Sequence, residues 1–298
     1  MRTVLFLALD VVAFLLVFAW IAIERGRGQS AKPTWFQTAI GFVTNFFDTL
    51  GIGSFAPTTS IYKMGRVIPD ELIPGTLNVG HSPPVIIQAF IFIAIIQVDL
   101  TTLVALIAAA VAGAWFGAGI VSRWPRRRIQ IGMGIALLIA AASFVLAIYD
   151  ALPVGGDALS LHGASLGFAV AAFVVFGSLM TLGIGIYAPS MITVGLLGMN
   201  PVAAFPIMMG ASAFLMPVAS IRFLRANRYS LPASIGLAVG GFPAVLIAAF
   251  IVKSLPLNAM RWLVVVVVVY AAIAMLRSAY TEPHQDSTPE VGDVSPAT

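Results

Sequence analysis

The sequence predicts an all-α polytopic membrane protein with two inverted-topology repeats behind one extra N-terminal transmembrane helix. Each repeat is expected to hold a broken or re-entrant first helix plus three crossing helices. Three observations lead there. Of the 298 residues, 60% are apolar and only 9% charged, whereas a water-soluble domain carries about a quarter charged residues, so most of this surface suits lipid. A nine-residue stretch occurs twice. The Lys and Arg residues fall almost entirely on one side once that stretch is allowed to turn the chain back.

The apolar stretches come in order at 3–23, 35–56, 72–97, 100–122, 129–149, 161–188, 201–221, 231–252 and 259–276. The first has only Arg2 ahead of it and no Ala-x-Ala cleavage pattern behind, so it reads as a spanning helix rather than a signal peptide. Polar or proline-bearing links, such as 122–128 and 227–232, mark the ends. The tail at 282–298 is polar, acidic and proline-containing, a composition that cannot build a core.

Thr49-Leu50-Gly51-Ile52-Gly53-Ser54-Phe55-Ala56-Pro57 returns as Thr181-Leu182-Gly183-Ile184-Gly185-Ile186-Tyr187-Ala188-Pro189, with seven of nine residues identical at an offset of 132. Pro69 and Pro201, and Pro74 and Pro206, keep the same offset. The chain therefore divides into an extra helix and loop (1–32), a first repeat (33–150), an external linker (151–160), a second repeat (161–277) and a disordered cytoplasmic tail (278–298).

Charge fixes the expected topology. If all nine stretches crossed fully, with 24–32 inside, the arginines at 123–128 would lie outside. If the repeated stretch instead breaks the first helix of each half, only Arg2, Lys253 and Arg261 of the 16 Lys and Arg remain outside. The second arrangement satisfies the positive-inside tendency. It leaves three crossings per half, and an odd number inverts the second half.

The repeated stretch is also where chemistry is expected. Glycine lets a backbone leave helical geometry at little cost, and proline supplies no N–H. A helix interrupted within the bilayer exposes amide and carbonyl ends that need partners. Converging amide ends form an anion site, because unpaired N–H groups and the helix dipole both favour negative charge. The substrate-binding candidates are Thr49, Gly51, Gly53, Ser54, Pro57, Thr58, Thr181, Gly183, Gly185, Pro189 and Ser190; Thr59 offers a further hydroxyl.

The halves differ in their intramembrane polar groups. Asp48 faces Met180 in the alignment, Asn45 faces Gly177, Asn78 faces Gly210 and His81 faces Ala213. An ionisable residue in a span is costly and usually functional. Asp48, His81, Asn45 and Asn78 are therefore candidates for proton coupling or for lining the pathway; the alternative for Asp48 and His81 is a helix cap and a partner for a nearby carbonyl. Asp10, in the extra helix, reads as a packing or interface residue. Arg123 and Arg126–Arg128 are expected to set orientation against anionic headgroups. Arg222, Arg225 and Arg228 read the same way, with drawing anions to the cytoplasmic face as the alternative.

Absent cysteine removes thiol chemistry. His81, His162 and His284 have no metal-ligand spacing, no P-loop pattern is present, and no basic stripe with aromatics suggests nucleic acid. No cofactor or metal is expected.

The glycine motifs, the duplicated halves and the hydrophobic profile together resemble the TauE/SafE family of sulfite exporter-like permeases, over about Lys32–Ser278. The motif segments concerned are Leu50–Pro57 and Leu182–Pro189, with shorter glycine runs than the GxGGG of many relatives. The resemblance implies a multi-pass protein of the bacterial cytoplasmic (inner) membrane, C-terminus inside, that is not an enzyme. It implies a secondary transporter of a small sulfur-containing anion (sulfite, thiosulfate or an organosulfonate), with protons as the candidate coupling ion, lipids around it and a homodimer as candidate assembly. An anion channel, a non-transporting scaffold and an intramembrane enzyme stay as alternatives.

Overall fold

Apolar runs of this length have no water to bond their backbone groups, and within lipid each N–H and C=O must be satisfied inside its own helix or bundle. A computed structural model of the chain describes residues 2–25, 31–121, 126–149, 156–180, 186–254 and 256–281. Its helices are α1 (Arg2–Glu24), α2 (Trp35–Thr49), α3 (Phe55–Met64), α4 (Ile73–Ile95), α5 (Leu100–Val121), α6 (Arg126–Ile148), α7 (Gly163–Met180), α8 (Tyr187–Leu196), α9 (Ala204–Ala226), α10 (Leu231–Ser254) and α11 (Leu257–Thr281). Among the described residues there is no sheet, only an isolated bridge between Ala158 and Met199. Among the described residues, five stretches are long and apolar enough to cross a membrane: Arg2–Glu24, Ile73–Ile95, Gly163–Met180, Pro201–Ala226 and Leu231–Ser254. The protein is a multi-span helical bundle.

The first repeated stretch does interrupt its helix. α2 ends at Thr49 and α3 starts at Phe55. In the second half α7 ends at Met180 and α8 starts at Tyr187; Thr181, Gly183 and Gly185 lie outside the described residues. α3 and α8 each run ten residues, and each carries proline as its third residue, Pro57 and Pro189. In a first turn the missing N–H breaks no helical bond, so these prolines mark where a helix restarts.

The succession long helix, ten-residue helix, 3₁₀ turn and three long helices occurs twice, the turns being Asp70–Leu72 and Pro201–Ala203. Packing joins the two series by exchange. α2 lies on α10, while α7 lies on α5; α4 packs on α9, and α6 on α11. Small residues allow the close contacts. A Cβ added to Gly41 of α2 would come within 2.6 Å of the Gly236 carbonyl oxygen and Leu237 Cα of α10. On the other side, the Ser178 hydroxyl of α7 donates to the Gly113 carbonyl of α5 at 2.8 Å.

α4 and α9 run antiparallel. Near the start of α4, the Thr76 hydroxyl accepts the Ser230 N–H at 2.9 Å, just past the end of α9. Midway, the Ser82 and Ser220 hydroxyls meet at 3.0 Å. Near the end of α4, the Phe92 ring lies 5.2 Å from that of Phe205, at the start of α9. α1 packs on α9 and α4, with the Arg2 guanidinium donating to the Ile96 carbonyl at 3.3 Å and Tyr229 bonding Glu24. Asp10 is exposed on α1 among Val4, Leu7, Val11 and Phe14.

Candidate functional site

The break between α2 and α3 is a specific turn. Ile52 N–H donates to the Phe47 carbonyl at 3.0 Å and Gly51 N–H to the Asp48 carbonyl at 2.8 Å, the paired bonds of a Schellman ending. Its left-handed position is Gly51, at φ +96°, and Gly53 follows at +87°. The turn sends the chain back over the end of α2. Ser54, which then caps α3, accepts the Thr58 N–H at 3.1 Å.

This geometry gathers polar groups in the interior. Asp48, Thr49, Ser54, Thr58, His81, Gln88, Ser190 and Ser212 are all buried. Ser54 turns both its hydroxyl and its backbone N–H toward the Asp48 carboxylate. Gln88 of α4 donates from Nε2 to Asp48 Oδ2 at 3.0 Å and to Thr49 Oγ1 at 2.9 Å. The Tyr187 hydroxyl, from the first turn of α8, reaches Asp48 Oδ2 at 3.5 Å, the outer limit of a hydrogen bond. Residues of the two repeated stretches therefore meet at one carboxylate, which immediately precedes the first of them. Gly51 adds to this junction: a Cβ there would lie 3.0 Å from the Met191 thioether of α8.

His81 sits in the adjoining shell. The Asn45 amide donates from Nδ2 to the carbonyls of Gly41 (2.7 Å) and Leu237 (3.2 Å), which leaves Oδ1 to accept the His81 Nδ1–H at 3.0 Å. Nε2 of the ring faces Thr58 Oγ1 at 3.1 Å. That hydroxyl also reaches the Ser54 carbonyl at 2.7 Å. His81 is thus joined to Asp48 through Thr58 and Ser54, not directly.

Other predicted residues lie apart. Asn78 donates to the Pro74 carbonyl of its own helix at 2.8 Å. His162 contacts the Ser160 hydroxyl at 3.0 Å in an exposed loop; His284 and Arg123 lie outside the described residues. Ser190 is buried with no hydrogen-bond partner for Oγ. Among the described residues no group of acidic, His or Cys side chains has the makings of a metal site. Sequence reasoning missed Gln88, Tyr187 and Ser212. Gln88 carried a signal, being the lone amide in the apolar run Val85–Ile96.

Residues 165–296 match the family model described as Sulfite exporter TauE/SafE. Over that stretch, less than half of its length, the chain is similar to the TauE/SafE family. The match takes in α8, with Tyr187, Pro189 and Ser190, and all of α9 to α11. No curated protein and no solved structure matches the chain.

Proposed function

We propose that this chain is a secondary transporter of the TauE/SafE type that carries a small sulfur-containing anion (sulfite, thiosulfate or an organosulfonate) across the cytoplasmic membrane, coupled to protons. The observation that carries the reading is the junction at Asp48, where the first glycine turn, Gln88 and the first turn of α8 come together in the interior. The donors there are neutral: amide, hydroxyl, phenol and backbone N–H. Such a set binds a compact oxyanion by hydrogen bonds and lets it leave again, as a carrier requires. Substrate contacts are assigned to Thr49, Gly51, Ser54, Thr58 and Ser190, with Asp48 and His81 handling protons.

Inverted repeats suit this activity, since binding then lies between the halves. The antiparallel run of α4 and α9 supports the inversion. The cytoplasmic face is assigned to the ends carrying Arg66, Arg222, Arg225 and Arg228, in a bacterial inner membrane with the C-terminus inside. Asp10, exposed on an apolar helix face, favours a homodimer that shields it through α1, because a carboxylate facing lipid is costly.

A flux panel in proteoliposomes tests the function. Thiosulfate, sulfite and a sulfonate should enter in preference to halides, saturate, and show counterflow. Linear, non-saturating conductance without counterflow would replace the carrier with a channel.

A further inference from the structure

Resting on that reading, we propose that Asp48 is a built-in occupant of the anion site: its carboxylate fills the amide end of α3, and a substrate anion takes that place only when Asp48 carries a proton.

A helix N-terminus leaves backbone N–H groups without intrahelical partners and favours negative charge. α3 is a ten-residue helix, and its opening is met from within. The Schellman turn at Gly51 folds the chain so that the side chain of Asp48, near the end of α2, faces the capping residue Ser54. The carboxylate lies beside the Ser54 N–H and hydroxyl, accepts from Gln88 Nε2, and more distantly from the Tyr187 hydroxyl. These are the contacts a small oxyanion would use. Asp48 is in effect a tethered anion.

A second anion cannot join it unneutralised, because like charges sharing a buried site disfavour each other's charged form. Among the described residues, the buried side chains include no Lys or Arg. The face of α10 against α2 presents Gly236, Leu237 and Gly240. From α3 and its cap come Ser54 and Thr58, and from α8 comes Tyr187, among the described residues the one titratable group in contact with Asp48. From α4 come Gln88 and His81, the latter engaged with Asn45 and Thr58.

The orphan atoms at the junction fit an exchange of occupants. Gln88 is fully buried and its Oε1 has no partner, although Nε2 has two. A protonated Asp48 becomes a donor, and a half-turn of the Gln88 amide would offer it Oε1. Ser212, beside the Tyr187 hydroxyl, is likewise buried with its Oγ unpartnered, a donor free for an incoming oxyanion. The second half has no equivalent tethered anion, since Met180 stands in the place of Asp48. The step involves no covalent change. A proton from water adds to a carboxylate oxygen of Asp48, the substrate takes over the Ser54 donors, and the proton returns to water when the anion leaves.

Thiosulfate is the probe, since it is the dianion of a strong acid and keeps its charge through the neutral range. Binding to the full chain in detergent, followed by calorimetry in buffers of different ionisation heat, should take up about one proton per anion. Above the Asp48 titration the affinity should fall about tenfold per pH unit. Asp48→Asn should bind thiosulfate with no proton uptake and a flat pH profile. In proteoliposomes that variant should exchange thiosulfate for thiosulfate yet fail to accumulate it under a pH gradient. Wild-type binding with no proton uptake overturns the inference without needing any variant. So does an Asp48→Asn protein that keeps the wild-type pH profile. A wild type that neither binds nor moves thiosulfate, sulfite or sulfonate at any pH overturns the transport reading itself.

Discussion

At the scale of single residues, the interior is held by few hydrogen bonds, so each one carries consequence. Gln88 is the bridge between α4 and the end of α2, donating to both Asp48 and Thr49. Gln88→Leu keeps the approximate volume but strips the carboxylate of a charge-assisted donor. Leaving a buried charged group under-satisfied costs about 1 to 3 kcal/mol, so a lower unfolding midpoint in detergent is expected, with transport impaired. An unchanged midpoint would mean that Asp48 does not depend on this amide. Asp48, Asn45 and His81 were legible because polar residues in apolar spans stand out. Gln88 carried the same kind of signal, as the lone amide in an apolar run, but its importance comes from a partner 40 positions away, and pairing at that distance is a tertiary fact. The same applies to Tyr187, which lay within the recognised motif but drew attention only as a match for Phe55.

At the scale of elements, the break in the first helix follows from local chemistry and was legible in the sequence. The two glycines there are not equivalent. Both adopt left-handed φ, which costs another residue about 1 to 2 kcal/mol. A Cβ on Gly51 would additionally press on Met191 at 3.0 Å, whereas one on Gly53 meets nothing within 4 Å. Gly51→Ala should therefore lower thermal stability more than Gly53→Ala, and equal losses would show that the contact with α8 relaxes freely. A second element is set by Asp99, outside the spans. Its carboxylate accepts the Thr102 N–H at 2.9 Å and caps α5, and that bond holds its carboxyl below the ordinary carboxylate range. A depressed folded-state value means the stabilisation is complete above about pH 4 and fades only as pH falls further. Asp99→Ala should cost about 0.5 to 1 kcal/mol at neutral pH, with a smaller difference in strong acid.

At the scale of the whole molecule, the repeated element order could be read from a matching nonapeptide and from paired prolines. The exchange of partners, α2 on α10 and α7 on α5, could not. Apolar faces of spanning helices all resemble one another, and lipid offers no hydrophobic drive that a sequence pattern would betray. Inversion is the property on which transport reasoning depends, and the molecule gives a direct way to measure it. The natural chain has no cysteine, so single cysteines placed in it report their own side of the membrane to an impermeant maleimide. Arg66 and Asn227 are exposed at helix ends assigned to the cytoplasm, while Asp157 and Lys253 are exposed at the opposite end. In right-side-out vesicles, Asp157→Cys and Lys253→Cys should label at once, and Arg66→Cys and Asn227→Cys only after the membrane is opened. Arg66 closes α3, and Asn227 closes α9 with a left-handed φ of 54°. Placing both on one face requires α4, which begins just after Arg66, and α9, which ends at Asn227, to run in opposite directions. If the two positions labelled from opposite faces, α4 and α9 would be parallel and the paired-halves account of the site would fail.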